Sequence, residues 1–379
     1  MLSNNKSIDT LLDHVVKCKK GAAFYNYSNT DGKQWIMPRK HLNTAMNLYQ
    51  PSCIKGKLFR LFFPYLHWCN HIKNKLSVVE QNYELTDKLK KRLSEIFKIH
   101  DIEFAIFGGT PSIHQKIIIQ ISLKNKILGY CKITDQHEIK QIFKKEQKTL
   151  TQLNRKGIGN IPSCLTRESL TETVDIFVQD TTKTSQSRIV HKWSERHWRF
   201  LQELNILTRK RQIFELTAFS QTLDKLESLL DKNPLPNVEV IRRTIKFVRN
   251  MYQRKEVEFS VFHSDFTPWN MFFEKGELFV FDWEYAGQTF PPFLDWFHFF
   301  TQTLLFKKHL SAKQIAARFQ REKKALYLYF ANPGLSYQCY LLAIICLYLS
   351  RCPACVDEQT NKKLSFWIEL LSYIRNEYS

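Results

Sequence analysis

Residues 261–284 constrain what this 379-residue chain can fold into more than any other segment. They contain the pattern His-x-Asp-x-x-x-x-Asn at His263, Asp265 and Asn270, followed by an apolar run that ends at Asp282. These polar side chains either shape a turn and end a strand or act together at one site. The joint spacing of Asp265, Asn270 and Asp282 favours a shared site.

The dipeptide Lys275-Gly276 separates two apolar runs inside this segment, a pattern that predicts a β-hairpin. With the turn at these residues, Asn270 lies about one position away from Asp282 across the ladder. Facing Cβ atoms in such a ladder are roughly 5 Å apart. Two oxygen-bearing side chains at that separation suit a divalent cation.

Phosphoryl transfer from a nucleotide uses this set of groups. It needs a carboxylate that orients and deprotonates the attacking hydroxyl, and oxygen ligands that hold Mg²⁺ on the phosphates. Asp265 is the candidate base, and Asn270 and Asp282 are the candidate metal ligands. The segment therefore predicts the catalytic centre of a kinase that uses ATP and Mg²⁺.

The same residues resemble the catalytic loop and metal-binding strands of the aminoglycoside phosphotransferase and choline kinase superfamily. This resemblance implies an α+β, protein-kinase-like fold with a small β-rich N-lobe and a larger helical C-lobe. Protein kinases continue with Asp-Phe-Gly and Ala-Pro-Glu, whereas this chain has Asp282-Trp-Glu284 and lacks Ala-Pro-Glu. The difference favours the hydroxyl of a small molecule or glycan as acceptor over a protein substrate.

The resemblance also assigns supporting roles near the catalytic loop. His263 is expected to hold the loop by hydrogen bonds rather than to transfer protons, and Asp295 is expected to brace the loop from the next helix. Ser264 is a departure, because the family more often has Gly at this position.

A glycine-containing turn upstream is a candidate phosphate-binding loop. Residues 102–107 and 115–123 predict strands on either side of Gly108, Gly109, Thr110 and Ser112. Glycines allow backbone N–H groups to approach a phosphate closely. The turn is not Gly-x-Gly-x-x-Gly, and similar hairpins occur in unrelated sheets.

The next strand carries Lys132 among apolar neighbours and resembles the strand that bears the family's phosphate-binding lysine. The helix after it is predicted to begin at Asp135 as N-cap, and its apolar stripe includes Glu146 at helical spacing. A buried acid requires a partner. We expect Glu146 to pair with Lys132; alternatively, Glu146 lies at the edge of the stripe and reaches water.

A further strand is predicted over residues 174–180 and leads into a polar segment. This arrangement suits a hinge between lobes, where backbone groups near Gln179 would bind the adenine edge. Any strand that leaves a sheet for a loop has a similar pattern.

The positive charge of the chain indicates which class of phosphate acceptor is favoured. The net charge is +20, and residues 184–255 hold fifteen Lys or Arg against seven Asp or Glu. Polycationic aminoglycosides suit acidic surfaces, so the excess favours a neutral or anionic sugar, including a lipid-linked sugar. Nucleic acid is not expected as a partner, because no binding motif accompanies the dispersed charge.

Two alternatives remain open at this point. The aromatic residues Trp283, Tyr285, Trp296 and Phe297 could cage a quaternary ammonium group, as in a kinase for choline, ethanolamine or another amino alcohol. The chain could also be an inactive kinase-fold scaffold, although the candidate catalytic residues are all present.

The predicted organisation has three parts: an extension over residues 1–100, an N-lobe over 101–180 and a C-lobe over 181–379. The extension contains a basic and aromatic stretch at residues 48–68. Its composition suits peripheral contact with an anionic membrane, whereas the alternative is packing of Phe59, Phe62, Phe63, Leu66 and Trp68 onto the N-lobe. The extension also resembles, more loosely, those of phosphotransferases encoded with bacterial surface-polysaccharide enzymes.

The compartment expected from the sequence is the cytoplasm. The N-terminus lacks the apolar core of a signal peptide. The longest apolar run, Cys339–Leu349, is too short to span a bilayer and predicts a buried helix. The single Cys-x-x-Cys, at Cys352 and Cys355, is a weak metal signal because no second pair or nearby His accompanies it.

Overall fold

The computed structural model describes residues 4–51, 54–111, 115–184, 186–233, 235, 237–351 and 358–376. The predicted loop residue Ser112 and the pair Cys352 and Cys355 lie outside these ranges. The chain divides into two compact units: unit 1 contains residues 1–155, 159–189 and 272–284, and unit 2 contains residues 156–158, 190–271 and 285–379.

Unit 1 is built on an antiparallel sheet of eight strands, in the order β3-β1-β2-β4-β5-β6-β8-β7. These strands are β1 (Val16–Ser28), β2 (Gln34–Pro38), β3 (Val79–Leu85), β4 (Glu103–Phe107), β5 (Ile117–Leu123), β6 (Lys126–Thr134), β7 (Cys164–Ser169) and β8 (Asp175–Asp180). Those predicted around residues 102–107, 115–123, Lys132 and 174–180 are confirmed as β4, β5, β6 and β8. The extension adds β1, β2 and β3 to the same sheet, a result that was not expected from the sequence.

The sheet buries apolar side chains on both faces, because neighbouring residues of a strand point in opposite directions. In β4, Phe104 and Ile106 join one cluster of buried residues, whereas Ala105 between them joins another. The second cluster is largely aromatic and includes Tyr25 of β1 and Trp35 of β2. The extension is therefore part of the hydrophobic core of unit 1.

The helices of unit 1 are α1 (Asn4–Asp13), α2 (Leu42–Ala45), α3 (Ile54–Leu66), α4 (Asn70–Lys75), α5 (Asp87–Phe97) and α6 (His137–Arg155). The alternative of packing onto the N-lobe holds for only part of the aromatic stretch. Phe59 and Phe63 of α3 pack in the aromatic cluster, whereas Phe62, Leu66 and Trp68 are exposed.

Helix α6 confirms the predicted buried stripe but begins later than expected. The carbonyl oxygen of Gln136 accepts the backbone N–H of Lys140, so Gln136, not Asp135, directly precedes the helix. Ile139, Phe143 and Glu146 are all buried on its inner face.

The predicted hairpin lies in a second, three-stranded sheet of unit 1 with the order β13-β12-β9. Its strands are β9 (Arg188–Ile189), β12 (Met271–Glu274) and β13 (Glu277–Val280). Lys275 (φ 49°) and Gly276 (φ 91°) both have positive φ, as a two-residue type I′ turn requires.

Unit 2 is mainly helical and contains one small sheet, β10-β11-β14. Its elements are α7 (Glu195–Thr208), β10 (Lys210–Ile213), α8 (Ala218–Lys232), α9 (Val238–Tyr252), β11 (Glu256–Phe262), β14 (Gly287–Phe290), α10 (Leu294–Gln302), a π-helical turn (Thr303–Lys307), α11 (Ala312–Leu326), α12 (Pro333–Arg351) and α13 (Glu358–Asn376). The apolar run predicted to form a buried helix lies in α12.

Within the described residues, α12 is the one helix whose length and composition would allow it to cross a membrane. Its apolar window is 78% buried inside the protein, as in the core helix of a globular unit. Cys339, Tyr340 and Leu341 in its middle are fully buried.

Candidate active site

Lys132 is the centre of a buried ionic cluster in unit 1. Its Nζ lies 2.9 and 2.8 Å from the two carboxylate oxygens of Glu146 and 2.8 Å from Oδ1 of Asp282. Strand β6 and helix α6 follow each other in the chain and bring the first pair together, while Asp282 arrives two residues after β13. Glu146 is fully buried, so the expected Lys132–Glu146 pair forms and the alternative of a solvated Glu146 is wrong.

The protonation of this cluster follows from burial and from the neighbouring charges. Burial alone would lower the pKa of Lys132, but the carboxylates of Asp282, Glu146 and Glu284 outweigh burial and raise that pKa. Burial raises the pKa of Glu146 to about 7, although Lys132 opposes the shift. Lys132 therefore remains a fixed positive charge that can bind phosphate oxygens.

Asp282 and Glu284 make this cluster a candidate cation site. Carboxylate oxygens of Glu146, Asp282 and Glu284 lie within 4.8 Å of one another. Lys116 pairs with Glu284, so the cluster has three carboxylates and two ammonium groups. The hard oxygen ligands fit a divalent cation such as Mg²⁺.

The backbone directs Asp282 into this cluster. Asp282 has φ 69°, a left-handed conformation that Asp tolerates better than most residues and that is frequent at functional sites. The next residue, Trp283, is fully buried and its indole N–H donates to the carbonyl of Val280 at 3.1 Å. Trp283 thus anchors the turn that follows β13.

The glycine turn between β4 and β5 is shaped by its surroundings. The N–H of Gly108 donates to the carbonyl of Gln34 in β2 at 2.9 Å, so this amide is engaged inside the protein. Gly109 has φ 79°, and a Cβ there would lie 2.5 Å from the carbonyl oxygen of Lys116. Only glycine fits at that position, while Thr110 is exposed at the tip.

Gln179 lies near the end of β8, opposite Tyr130 of β6. It is buried, and its side-chain Oε1 has no hydrogen-bond partner among the described residues. Lys183, just beyond the strand, has its Nζ 5.6 Å from the centre of the Phe272 ring. Burial lowers the pKa of Lys183 to about 8.

In unit 2, Asp265 is held by hydrogen bonds to both of its carboxylate oxygens. The side-chain N–H of Asn270 donates to Oδ2 at 2.8 Å and also to the Asp265 carbonyl at 3.0 Å. Nε2 of His298 in α10 lies 3.2 Å from Oδ1, and Nδ1 of His298 lies 3.3 Å from the hydroxyl of Tyr340. The Asp265 side chain is nevertheless one-third exposed (33%), so a hydroxyl group can reach it.

The loop that carries Asp265 is held by hydrogen bonds to Asp295 of α10, as the resemblance implied. The Asp295 carboxylate accepts the backbone N–H groups of His263 at 2.9 Å and Ser264 at 3.2 Å. His263 is fully buried, and its Nδ1 accepts the backbone N–H of Asp265 at 3.2 Å. Ser264 has φ 71°, a left-handed backbone conformation that favours glycine.

Four residues of these clusters were not among the predicted site residues: Glu284, Lys116, His298 and Tyr340. Glu284 was noted only as part of Asp282-Trp-Glu284, although its acidic side chain two positions after Asp282 was a usable signal. Lys116, His298 and Tyr340 reach their partners from distant parts of the chain, and no local pattern marks them.

No protein-family model and no curated protein matches the sequence significantly. Among solved structures, a thermostable mutant of aminoglycoside phosphotransferase APH(4)-Ia, in ternary complex with ADP and hygromycin B, is similar with a TM-score of 0.50 and 12% identity, covering 77% of this chain and 99% of that chain. Amicoumacin kinase hAmiN, in complex with AMP-PNP, Ca²⁺ and Ami, has a TM-score of 0.46 and 12% identity, covering 77% of this chain and 93% of that chain. Choline kinase LicA from Streptococcus pneumoniae has a TM-score of 0.42 and 17% identity, covering 76% and 96%.

The likeness to the APH(4)-Ia structure confirms the predicted α+β, protein-kinase-like fold. In this protein, the β-rich unit 1 corresponds in kind to the expected N-lobe, and the mainly helical unit 2 corresponds to the expected C-lobe.

Proposed function

We propose that this protein is an ATP-dependent phosphotransferase that transfers the γ-phosphate of ATP to a hydroxyl group of a small molecule or glycan. The observation that carries the proposal is the contact of Lys132 with Glu146 and Asp282 at the same time. A buried lysine fixed by an acid from the following helix and an acid after a hairpin suits the binding of nucleotide phosphates. Because ATP is the proposed donor, we place the reaction in the cytoplasm.

In this proposal, unit 1 binds the nucleotide. Lys132 binds phosphate oxygens, and Glu146 fixes the direction of its ammonium group. The backbone of Gly109 and Thr110 is the candidate contact for the phosphates in the glycine turn. Backbone groups near Gln179 are the candidates for contact with adenine.

Asp265 in unit 2 is assigned as the base. It orients the acceptor hydroxyl and takes its proton as the acceptor oxygen forms a bond to the γ-phosphorus and the bond to the β-phosphate oxygen breaks, releasing ADP. Asn270 and His298 hold the carboxylate in one orientation. His263 and Asp295 hold the loop and do not contact the acceptor.

A divalent cation would be held by Asp282, with Glu284 as a further oxygen ligand. When bound, it would neutralise charge on the phosphates. Asn270 is the other ligand predicted from the sequence. Its side-chain nitrogen donates to Asp265, so its side-chain oxygen is the candidate ligand atom.

The acceptor class that best suits the protein is a neutral or anionic sugar, free or lipid-linked. Trp269, next to Asn270, is exposed and lies edge-on to exposed Phe306 with ring centres 6.1 Å apart, and exposed aromatic rings offer an apolar platform for a sugar. The proposed ammonium cage is disfavoured, because Trp283 and Phe297 are fully buried and Trp296 nearly so.

The test combines an acceptor screen with matched variants. ATP consumption is measured with sugars, lipid-linked glycans and amino alcohols, and the phosphorylated product is identified by mass spectrometry. We expect Asp265→Asn to lower turnover by roughly 10²–10⁴-fold while thermal stabilisation by ATP and Mg²⁺ is retained. Asp282→Asn should lose both turnover and that stabilisation.

Asp13→Asn is the control, because Asp13 is an exposed acid at the end of α1. It should behave as the wild type in both measurements. Near wild-type turnover in Asp265→Asn would refute the assignment of the base. Absence of any stabilisation by ATP and Mg²⁺ would favour the inactive scaffold.

A further inference from the structure

Helix α3 of the extension presents a second apolar face to solvent. Phe59 and Phe63 on its inner face are buried in the aromatic cluster. Its outward side carries Leu58, Leu61, Phe62 and Tyr65, at the spacing i, i+3, i+4 and i+7 that places residues on one side of a helix. These four side chains, here called the α3 outer face, are between 50% and 67% exposed.

The apolar exposure continues past the end of the helix and is concentrated there. Trp68 is 71% exposed, and its indole N–H donates to the carbonyl of Tyr65 at 2.9 Å. This bond holds the ring beside the last turn of α3. Among the described residues, six of the seventeen exposed large apolar side chains fall between positions 58 and 68, so the patch is not the usual scatter of single residues.

In the stretch of sequence that contains α3, the charged residues have one sign. No Asp or Glu occurs between Asp31 and Glu80, whereas eight Lys or Arg do. Lys55 and Lys57 are exposed on the first turns of α3, and half-buried Arg60 follows them on the flank. A partner on this face therefore gains if it is both apolar and negatively charged.

The exposed apolar side chains and the positive charge beside them favour one of two candidate partners, a second copy of the chain or a lipid bilayer. A second copy of the chain would add its own Lys55 and Lys57 to the same interface, and like charges at an interface oppose association. An anionic bilayer accepts the apolar side chains among its acyl chains and the lysines at its headgroups. Trp and Tyr at the edge of such a face suit the boundary between headgroups and acyl chains.

We propose that the α3 outer face and Trp68 bind this protein to the surface of an anionic lipid bilayer. The helix lies in the plane of the interface and does not cross it. This inference goes beyond the proposed phosphotransferase activity and does not depend on it.

The test is flotation of the full-length protein with vesicles. We expect binding to vesicles of phosphatidylcholine mixed with an equal part of phosphatidylglycerol, and little binding to phosphatidylcholine alone. Added NaCl should weaken the binding, because it screens the lysines from the headgroups. Failure to bind the anionic vesicles would overturn the proposal.

Matched variants test whether vesicle binding depends on the α3 outer face or on any exposed apolar side chain. Leu58→Gln with Phe62→Gln should raise the lipid concentration for half-binding by roughly tenfold or more, with unchanged thermal unfolding because both side chains are exposed. The control is Leu216→Gln with Leu328→Gln, two leucines that are 70% and 83% exposed in unit 2, and it should bind as the wild type.

A second set of variants in the vesicle test reverses the charge of lysines. Lys55→Glu with Lys57→Glu should weaken binding to anionic vesicles, whereas the same change at exposed Lys90 and Lys91 of α5 should have a much smaller effect. Equal losses in the paired variants would overturn the assignment to α3. A wild-type dimer that becomes a monomer in the Leu58 and Phe62 variant would instead identify the face as an interface between copies, and would also overturn the proposal.

Discussion

Asp295 shows how one buried side chain links the stability of the fold to the loop that carries Asp265. Its carboxylate is 2% exposed and receives two backbone N–H groups from the loop. Burial raises the pKa of Asp295 to about 7, although the bonds from His263 and Ser264 oppose this and nearby Asp265 adds to it. The ionised form is therefore less favourable in the folded protein than in the unfolded chain.

This pKa predicts a pH-dependent contribution to stability. An unfolded Asp titrates near pH ~3.9, below the folded value, so the contribution of Asp295 is fully present below about pH 4 and is lost as pH rises through about 7. We expect the wild type to lose roughly 2–4 kcal/mol of unfolding free energy relative to Asp295→Asn across this interval. Urea unfolding of both proteins at several pH values measures the difference.

Asp13→Asn is the control for that comparison, and its unfolding free energy should follow the wild type at every pH. A difference between the wild type and Asp295→Asn that is independent of pH would show that Asp295 is not held with a raised pKa. A difference that grows in favour of the wild type as pH rises would show the opposite shift.

At the scale of single residues, a contact could be predicted from the sequence where local spacing brings the two partners together. Glu146 follows Lys132 by one strand-to-helix step, so the pairing of these two residues could be derived. His298 and Lys116 could not be derived, because their partners are more than thirty and more than one hundred and sixty positions away, respectively. Which distant side chains meet is decided by tertiary packing, which no single-residue pattern encodes.

At the scale of elements, strand β6 depends on a close backbone approach to β8. Gly129 pairs opposite Asp180 in this ladder, and a Cβ at position 129 would lie 2.2 Å from the carbonyl oxygen of Gln179 and 2.9 Å from the ring of Phe97. Because β6 also carries Lys132, this glycine positions Lys132 as well as the strand.

We therefore expect Gly129→Ala to destabilise the protein by about 1–3 kcal/mol through overpacking. Urea unfolding compares it with Gly159→Ala, since a Cβ at Gly159 would meet nothing within 4 Å. The control should lie within about 0.5 kcal/mol of the wild type. Equal stabilities for the two variants would mean that β6 and β8 can separate without cost.

The elements that could be predicted were those with a clear period or turn signal. Helix α6 has a helical stripe, and the β12–β13 hairpin has Lys275-Gly276. Strand β1 lacks such a signal: its exposed stretch from Lys17 to Ala23 does not alternate, and its register with β3 shifts between Lys19 and Phe24. Its place in the sheet depends on pairing with strands far along the chain.

At the scale of the whole molecule, the net charge of +20 opposes compaction. Like charges repel in the folded state, where they are closer together than in the unfolded chain. Exposed ion pairs such as Arg243 with Glu239 contribute only about 0–1 kcal/mol each, so their screening costs little. We therefore expect repulsion from the excess of positive charge to be the larger electrostatic effect.

Added NaCl should therefore raise the thermal unfolding temperature at pH 7, because the screening length falls from about 10 Å at 0.1 M to about 3 Å at 1 M. The rise should shrink near pH 9.5, the isoelectric point of the sequence, where the net charge vanishes and little repulsion is left to screen. Scanning calorimetry across a NaCl series at both pH values measures this. A fall in unfolding temperature with salt at pH 7 would mean that paired charges, not the cationic excess, dominate the electrostatics of this fold.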